Sequence, residues 1–474
     1  MTRSKEMKMR INRKDFIGLG MAFAASGCST WNGGFPAITA VRSPNGLLRH
    51  ASIGTANMAG GDIKSLRTHP KIEMAAFCDV DAKFLDRMRK EFPKAHFYRD
   101  WRELLAKEGD AIDSMNISIP DHNHTIVAAA AMRKGKHVYL QKPLCKSHAE
   151  AALLRDLAVQ NGVVTQMGAQ YTAFMADRQT VELLHTGALG PVERVYFFST
   201  RKGLSRRRRY LPAPAPAPAD LDWDLWLGTA SVRPYAPEVY HPLIWRVWRD
   251  LGSGWIGDIG CHLMSAVWKG MSLGKAAPLS VVAETQTNAE DNVKDIVWPT
   301  ATHIVWKFAG VPASGGKPFE WEWFDGCSEP DNLSPAQYHP PAEIERLFEQ
   351  TPVKKRPHEG KAIKCRDGWI LQPHAQAAAH IIRNDGKPMK GPKLPSVPTH
   401  YHEFVDACIE GRKAAGDFEW STWMMEAILD GEISERLPGT KLAWDPKSRT
   451  FDCDKANAFL KSSYRAGWTI PGLA

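Results

Sequence analysis

Ile53-Gly54-Thr55-Ala56-Asn57-Met58-Ala59-Gly60 joins a short apolar run to an amphipathic stretch. It is the strand-to-loop-to-helix junction at which a dinucleotide is cradled. The GxGxxG fingerprint is reduced to Gly54, Ala56 and Ala59. Small side chains still let the backbone approach a pyrophosphate, whose charge is favoured at a helix N-terminus. Position adds the specificity that the glycines do not: Asp79 closes the next apolar run, where an acid accepts ribose hydroxyls. Asp81 adds a second negative charge that disfavours a 2′-phosphate, so NAD is expected rather than NADP. Gly54, Thr55, Ala56, Asn57, Met58 and Asp79 form the cofactor-binding set of this unit. The competing reading is a strand end capped by an ordinary Asp turn.

Outward from this junction, short apolar runs alternate with helical periodicity, the βαβ signature of a parallel sheet covered on both faces. Strands are expected over 72–78, 111–119, 137–141 and 163–167, and helices over 59–68, 82–91, 101–107, 125–134 and 147–161. Ser147 and Glu150 are placed to make a capping box. After residue 170 the pattern turns β-rich, with strands at 192–199, 279–286, 301–307 and 319–324. The alternation Glu193-Arg194-Val195-Tyr196-Phe197 suits an open sheet with one wet face. Residues 325–395 read as long loops, and helices 401–411 and 421–436 close the chain. The expected fold is α/β: an N-terminal Rossmann doubly wound parallel sheet over 46–170, then a C-terminal α+β domain with a large open, mostly antiparallel sheet over 171–474. Residues 1–45 read as an export signal and linker.

At 474 residues the chain exceeds one ordinary domain. Its 43% hydrophobic and 24% charged residues exclude a disordered or coiled-coil chain. The net charge of +9 comes largely from a basic N-terminus and Arg206-Arg207-Arg208-Arg209, not from a stripe that would bind nucleic acid. Eight scattered cysteines without zinc spacing indicate buried thiols rather than a metal site. The uncharged stretch 16–27 follows basic residues and is too short to span a bilayer, which fits a signal peptide. Asn12-Arg13-Lys14-Asp15-Phe16-Ile17 resembles a twin-arginine signal with Lys for the second Arg, and Ala25-Ser26-Gly27-Cys28 resembles a lipoprotein cleavage site. The expected location is therefore periplasmic or membrane-anchored through a lipid on Cys28, against the alternative of a disordered or cleaved tail.

Three further segments are similar to signatures of the Gfo/Idh/MocA family of nicotinamide-dependent sugar oxidoreductases. They are Pro120-Asp121-His122-Asn123-His124, Gln141-Lys142-Pro143, and Gly252-Ser253-Gly254-Trp255-Ile256-Gly257-Asp258-Ile259-Gly260-Cys261-His262. Trp223 to Gly228, Trp245 to Trp248 and the ending Tyr464-Arg465-Ala466-Gly467-Trp468 resemble its exported branch. The resemblance implies that Lys142, Asp258 and His262 face the nicotinamide, and that the β-rich domain assembles a homo-oligomer. Gln141 replaces the family's Glu and cannot pair ionically with Lys142.

Four residues apart, Asp258 and His262 share a helix face, so Asp258 can orient the imidazole or join it at the substrate. Removing a hydride from a secondary alcohol requires a base within reach of the hydroxyl. That base is assigned to His262, with Lys142 polarising the oxygen. Ile119, Pro120, His124, Gln141, Lys142 and Gln170 are expected on the cofactor side, His124 and Asn123 alternatively as helix caps. Tyr171, Arg246, Trp248 and Trp255 are expected on the substrate side, the tryptophans alternatively as packing. The many histidines of 358–402 read as solvated loops. The expected activity is oxidation or reduction of a ring carbinol of a sugar or glycoside with tightly held NAD. The alternatives are an NAD-dependent glycosidase with no net redox change and a non-catalytic binding protein.

Overall fold

The computed structural model describes residue 38 and residues 46–473, apart from 201–208, 212, 329–332 and 376–377. The export-signal reading, Cys28 and Arg206 to Arg208 lie outside the described residues. The first sheet has six strands, β1 (Leu48–Ile53), β2 (Ile72–Cys78), β3 (His96–Tyr98), β4 (Ser114–Ile117), β5 (His137–Leu140) and β6 (Thr165–Met167). They run in the order β3-β2-β1-β4-β5-β6, all parallel. Helices α1 (Met58–Leu66), α2 (Ala82–Glu91), α3 (Trp101–Glu108), α4 (His124–Arg133) and α5 (His148–Gln160) make the connections. The order reverses between β1 and β4, which leaves a crevice at their C-terminal ends.

Burial on both faces does not exclude polar side chains here, because they satisfy one another. His50 on β1 bonds Ser114 Oγ at 2.7 Å and Asn116 Oδ1 at 3.0 Å across to β4, and burial drives its pKa down to about 4. Asp81 and Asp100 cap α2 and α3 by accepting from Lys83 N and Arg102 N. Ser147 caps α5, but the reciprocal half of the expected capping box is not made. The Glu150 carboxylate turns instead to Thr125 Oγ1, Lys146 N and Tyr464 OH. Three donors inside the protein outcompete the one at the helix end.

The second sheet has ten strands: β7 (Val192–Ser199), β8 (Ser280–Gln286), β9 (Ala301–Phe308), β10 (Phe319–Phe324), β11 (Glu359–Cys365), β12 (Gly368–Pro373), β13 (His380–Arg383), β14 (Pro388–Met389), β15 (Leu442–Asp445) and β16 (Thr450–Phe451). Their order is β14-β13-β12-β11-β7-β10-β9-β8-β15-β16, antiparallel except for β7 against β10. Helices α6 (Met175–His185), α7 (Gly254–Gly270) and α10 (Phe418–Glu435) form one core with the sheet's Phe197, Trp306 and Trp321. That core continues into the Rossmann sheet without a break, and deleting one such ring costs about 3–5 kcal/mol. The opposite face is only partly wet: α8 (Ala342–Glu349) covers its middle with Ile344, Leu347 and Phe348. Helix α9 (His400–Glu410) packs back on α1.

The loop reading of 325–395 is corrected, since α8, β11, β12 and β13 lie within it. The pattern misled because β11 carries Lys361 at a position only 1% exposed. Its Nζ reaches Asp177 of α6 at 3.3 Å and the Leu263 carbonyl of α7 at 2.9 Å, so a charge that reads as a solvated face is buried against a distant acid. Among the described residues all seven cysteines are free and no cluster suited to a metal is present. No described helix is long and apolar enough to cross a membrane.

Candidate active site

The crevice between β1 and β4 opens into a cleft of about 1240 Å³ of atom-free space. Gly54 leaves β1 with φ +90°, and a Cβ there would stand 2.4 Å from the Ser118 carbonyl oxygen, so only glycine lets the loop pass. Asn57 precedes α1 without a side-chain cap, so the helix start is open where Asn57 and Met58 line the cleft. Thr55 N and Oγ1 donate to Asp79 Oδ2 at 2.9 and 2.8 Å, and Asp81 N donates to Oδ1. Asp79 therefore braces the loop, and a carboxylate's four acceptor positions leave one for a ribose hydroxyl. Burial raises its pKa. A glycine cradle, an open helix start and a strand-end acid are what a dinucleotide needs, so the residues present fit NAD.

A strap from residue 220 to 246 covers this cleft. Its anchorage is Ala82 N to the Asp220 carbonyl at 2.9 Å, Asp222 N to the Val80 carbonyl at 3.0 Å, and His241 Nε2 to Asp81 Oδ2 at 3.2 Å. Trp226, His241 and Trp245 line the cleft from the strap. Asp81 is committed to this strap and to its helix cap and does not line the cleft.

At the inner end stand Lys142 and Asp258, one leaving β5 and the other in the first turns of α7. Lys142 Nζ donates to the Asp258 carbonyl at 2.7 Å and pairs with its Oδ1, which Arg246 Nε approaches at 3.4 Å. Asp258 thus supplies Lys142 with the carboxylate partner that Gln141 cannot be. Burial alone would raise the Asp258 carboxyl, but Lys142 and Arg246 hold it well below the usual range. Asp121 Oδ2 accepts from Ser253 N at 3.1 Å and ties the start of α7 to the end of β4.

His262 lies one turn beyond Asp258, 5% exposed, with Nδ1 buried and unpartnered. Asp258 turns to Lys142 and Arg246 rather than to this ring, so it joins the corner without orienting the imidazole through a hydrogen bond. Burial, then the charges of Lys142 and His374, pushes the His262 pKa well down and keeps the ring neutral. Tyr171 meets it edge-on at 5.0 Å, and His374 lies 5.4 Å from it and 4.4 Å from Tyr171.

The other expected positions divide. Gly54 to Met58, Asp79, Ile119, Pro120, Gln141, Lys142 and Arg246 line the cleft. His124 does not: its ring is spent on the Pro143 and Ile119 carbonyls at 2.7 and 2.8 Å, fixing the turn that carries Lys142. Trp248 is corrected from substrate stacking to packing, being 2% exposed with Nε1 on the Val239 carbonyl. Trp255 is partly buried and donates to Ser199 Oγ at 2.7 Å. Gln170 does not line the cleft, and its Oε1 is buried without a partner.

Two residues escaped the sequence reading. His374 was grouped with solvated loops, yet β12 delivers it beside His262. Asp62 of α1 is fully buried and accepts from Gln141 Nε2 at 2.8 Å, Ser118 Oγ at 2.7 Å and Tyr401 OH at 2.9 Å. Gln141 is thereby held by Asp62, and the Gln141 substitution comes with a nearby acid that uses its amide. No local signal marked either residue.

Two expectations follow. Gly54→Ala is expected to weaken NAD binding at least tenfold by titration, since the new Cβ overlaps the Ser118 carbonyl and φ is positive. Unchanged affinity would contradict the cradle. Burial raises the Asp62 pKa from 3.8 to about 6. The folded state then binds this proton more tightly than the unfolded chain, so the stability Asp62 contributes is present below about pH 4 and is lost as pH rises to about 6. About two pH units correspond to about 3 kcal/mol. Urea unfolding should show Asp62→Asn gaining on the wild type by that order across the window, and a constant difference would refute it.

Residues 48–169 match the oxidoreductase family's NAD-binding Rossmann fold, and residues 204–308 match its C-terminal alpha/beta domain. The chain is similar to a levoglucosan dehydrogenase of Pseudarthrobacter phenanthrenivorans, 27% identical over 166 residues, 35% of this chain and 34% of that protein. It is similar also to a glycosyl hydrolase family 109 protein of Solibacter usitatus, 29% identical over 150 residues, 29% of this chain and 34% of that protein. The chain thus spans about a third of the length of these relatives. Its fold is like that of the aldose-aldose oxidoreductase of Caulobacter crescentus, with TM-score 0.57 at 14% identity over 84% of this chain and 99% of that one.

Proposed function

Because the chain carries both domains of the Gfo/Idh/MocA oxidoreductase family, the NAD-binding Rossmann domain and the C-terminal alpha/beta domain, we propose that it oxidises or reduces a ring carbinol of a sugar or glycoside with tightly held NAD. The observation that carries this reading is the meeting of Lys142 and Arg246, which line the dinucleotide cleft, with Asp258, one helical turn from His262. Bound NAD supplies the two-electron acceptor for the hydrogen on the carbinol carbon. Lys142, oriented by Asp258, donates a hydrogen bond to the carbinol oxygen and stabilises the charge that develops there. His262, kept neutral by burial, is the base assigned to the hydroxyl proton. Tyr171 and His374 pack against the His262 ring, and Arg246 approaches the same Asp258 Oδ1 as Lys142. Residues 1–45 support export with a lipid on Cys28, and the large sheet supports a homo-oligomer. Outside the cytoplasm free NAD is scarce, which favours a cofactor that stays bound through a closed cycle.

The similarity to a glycosyl hydrolase family 109 protein supports a second reading. There, oxidation acidifies the neighbouring C–H, the aglycone leaves by elimination, water adds, and the hydride returns. The test is to denature the purified protein, identify the released nucleotide by mass, and then assay glycosides and sugar pairs. Stoichiometric NAD with paired sugar conversion supports the redox reading. Aglycone release without NADH accumulation supports the hydrolytic one. An empty protein without NAD affinity refutes both and leaves the binding-protein reading.

A further inference from the structure

Asp121 faces the cofactor cleft, while its neighbour His122 lines a second cavity that shares no lining residue with the first. This cavity lies open to solvent between α10, the 229–250 segment and the C-terminal tail at 458–464. Its inner wall holds three cations. The Arg436 guanidinium is packed between the Trp298 and Phe459 rings, 4.7 Å from each centroid. Arg249 lies 5.6 Å from the same Trp298 ring, with one nitrogen on the Asp295 carbonyl and Nε buried without a partner. Lys146 donates from Nζ to the Arg249 carbonyl at 3.0 Å.

None of the three is in ion-pair contact with a carboxylate among the described residues. Carboxylates act on them only through space, Glu150 on Lys146, Glu435 and Asp295 on Arg249, and Glu432 and Glu435 on Arg436. Glu432 is 4% exposed with Oε1 buried and unpartnered, and burial raises its pKa well above the usual range. Glu435 is pushed up to about 8 by burial. Lys146, lowered by burial to about 8, and Arg436, lowered to about 10, both stay protonated at neutral pH. Glu150 is already spent on Thr125, Lys146 N and Tyr464, and Asp250 is paired with Arg233. Gathering partly buried like charges without an ion-paired carboxylate is unfavourable, and the planar Arg436 guanidinium, with no hydrogen-bond acceptor among the described residues, fits a carboxylate or phosphate.

We propose that this cavity is a second ligand site that binds a small organic anion, a carboxylate or phosphate on a sugar-sized scaffold, through Arg436 and Arg249 with Lys146 behind them. The hydroxyl side chains of Thr229, Ser231, Ser462 and Ser463 line the cavity and suit a polyol scaffold. The site lies apart from Lys142, so its occupant is distinct from the molecule being oxidised.

The test uses the full chain saturated with NAD, titrated calorimetrically with D-glucuronate, inorganic phosphate and neutral D-glucose. Saturable binding of an anion but not of glucose is expected, weakened at least tenfold in Arg436→Gln with NAD affinity unchanged. Lys461→Glu, at an exposed position on the rim, should weaken it as well, and it decides alone if Arg436→Gln does not fold. Glucuronate binding tighter than phosphate identifies a sugar acid, and the reverse identifies a phosphoester. Absence of saturable binding by either anion, or undiminished binding by folded Arg436→Gln or by Lys461→Glu, overturns the proposal.

Discussion

Replacing Lys142 or His262 with alanine is expected to lower turnover at least about a hundredfold, the scale of a positioned acid or base, while NAD still binds. Lys142→Ala removes the ammonium that holds both the Asp258 carbonyl and carboxylate. Arg246 remains near Asp258 Oδ1, so the carboxylate keeps a counter-charge and the fold should survive. His262→Ala removes the neutral ring and leaves a space beside Tyr171 and His374, without stranding a charge. Circular dichroism and NAD titration would establish that each variant is folded and loaded. A single-turnover measurement on the retained nucleotide then isolates the chemical step from cofactor exchange. Wild-type-like turnover in both variants would refute the assignment of roles.

The largest stability effect is expected at Asp177→Ala. This substitution leaves the Lys361 ammonium, 1% exposed, without its counter-charge, and leaves the Gln372 amide without its acceptor. Breaking a buried pair by removing one partner costs about 3–5 kcal/mol. Lys361→Met should cost less, because the Asp177 carboxylate it leaves behind keeps the Gln372 amide as a donor and can take up a proton, whereas the stranded Lys361 keeps only the Leu263 carbonyl. The order of the two urea midpoints is the informative result, and Asp177→Ala at least as stable as Lys361→Met would contradict the account. Lys361 also donates to the Leu263 carbonyl next to His262, so the pair buttresses the helix that carries the catalytic corner.

The Rossmann half was legible because its determinants are local. Apolar runs, Asp caps and Gly54 act within a few residues of themselves, and the boundaries of β2 and α2 follow from them. Lys142, Asp258 and His262 were legible through motifs. The features that were missed depend on partners far along the chain. Lys361 meets an acid 184 residues away, and Asp62 meets Tyr401 339 residues away. Lys361 fell in a stretch read as loop, and nothing near Asp62 in the helix 59–68 marked it as buried. His374 has no pattern of its own and acquires its place only when β12 pairs beside β11. Conversely, Trp248 and His124 carried the residue types of a site but fill packing and turn roles, since an indole or imidazole satisfies a buried carbonyl as readily as it meets a ligand.

The strap over the cofactor cleft separates how tightly a nucleotide is held from how long it stays. Residues 220–246 are tied to the edge of the nucleotide domain by backbone bonds at Val80 and Ala82 and by His241 on Asp81, none of which involves the guest. For a nucleotide bound beneath it, departure would require the peeling of a peptide ribbon, a local unfolding event with its own barrier. Weakening the loop glycines shifts the equilibrium while leaving that barrier in place. A degraded phosphate cradle and a long dwell time are therefore compatible in one molecule.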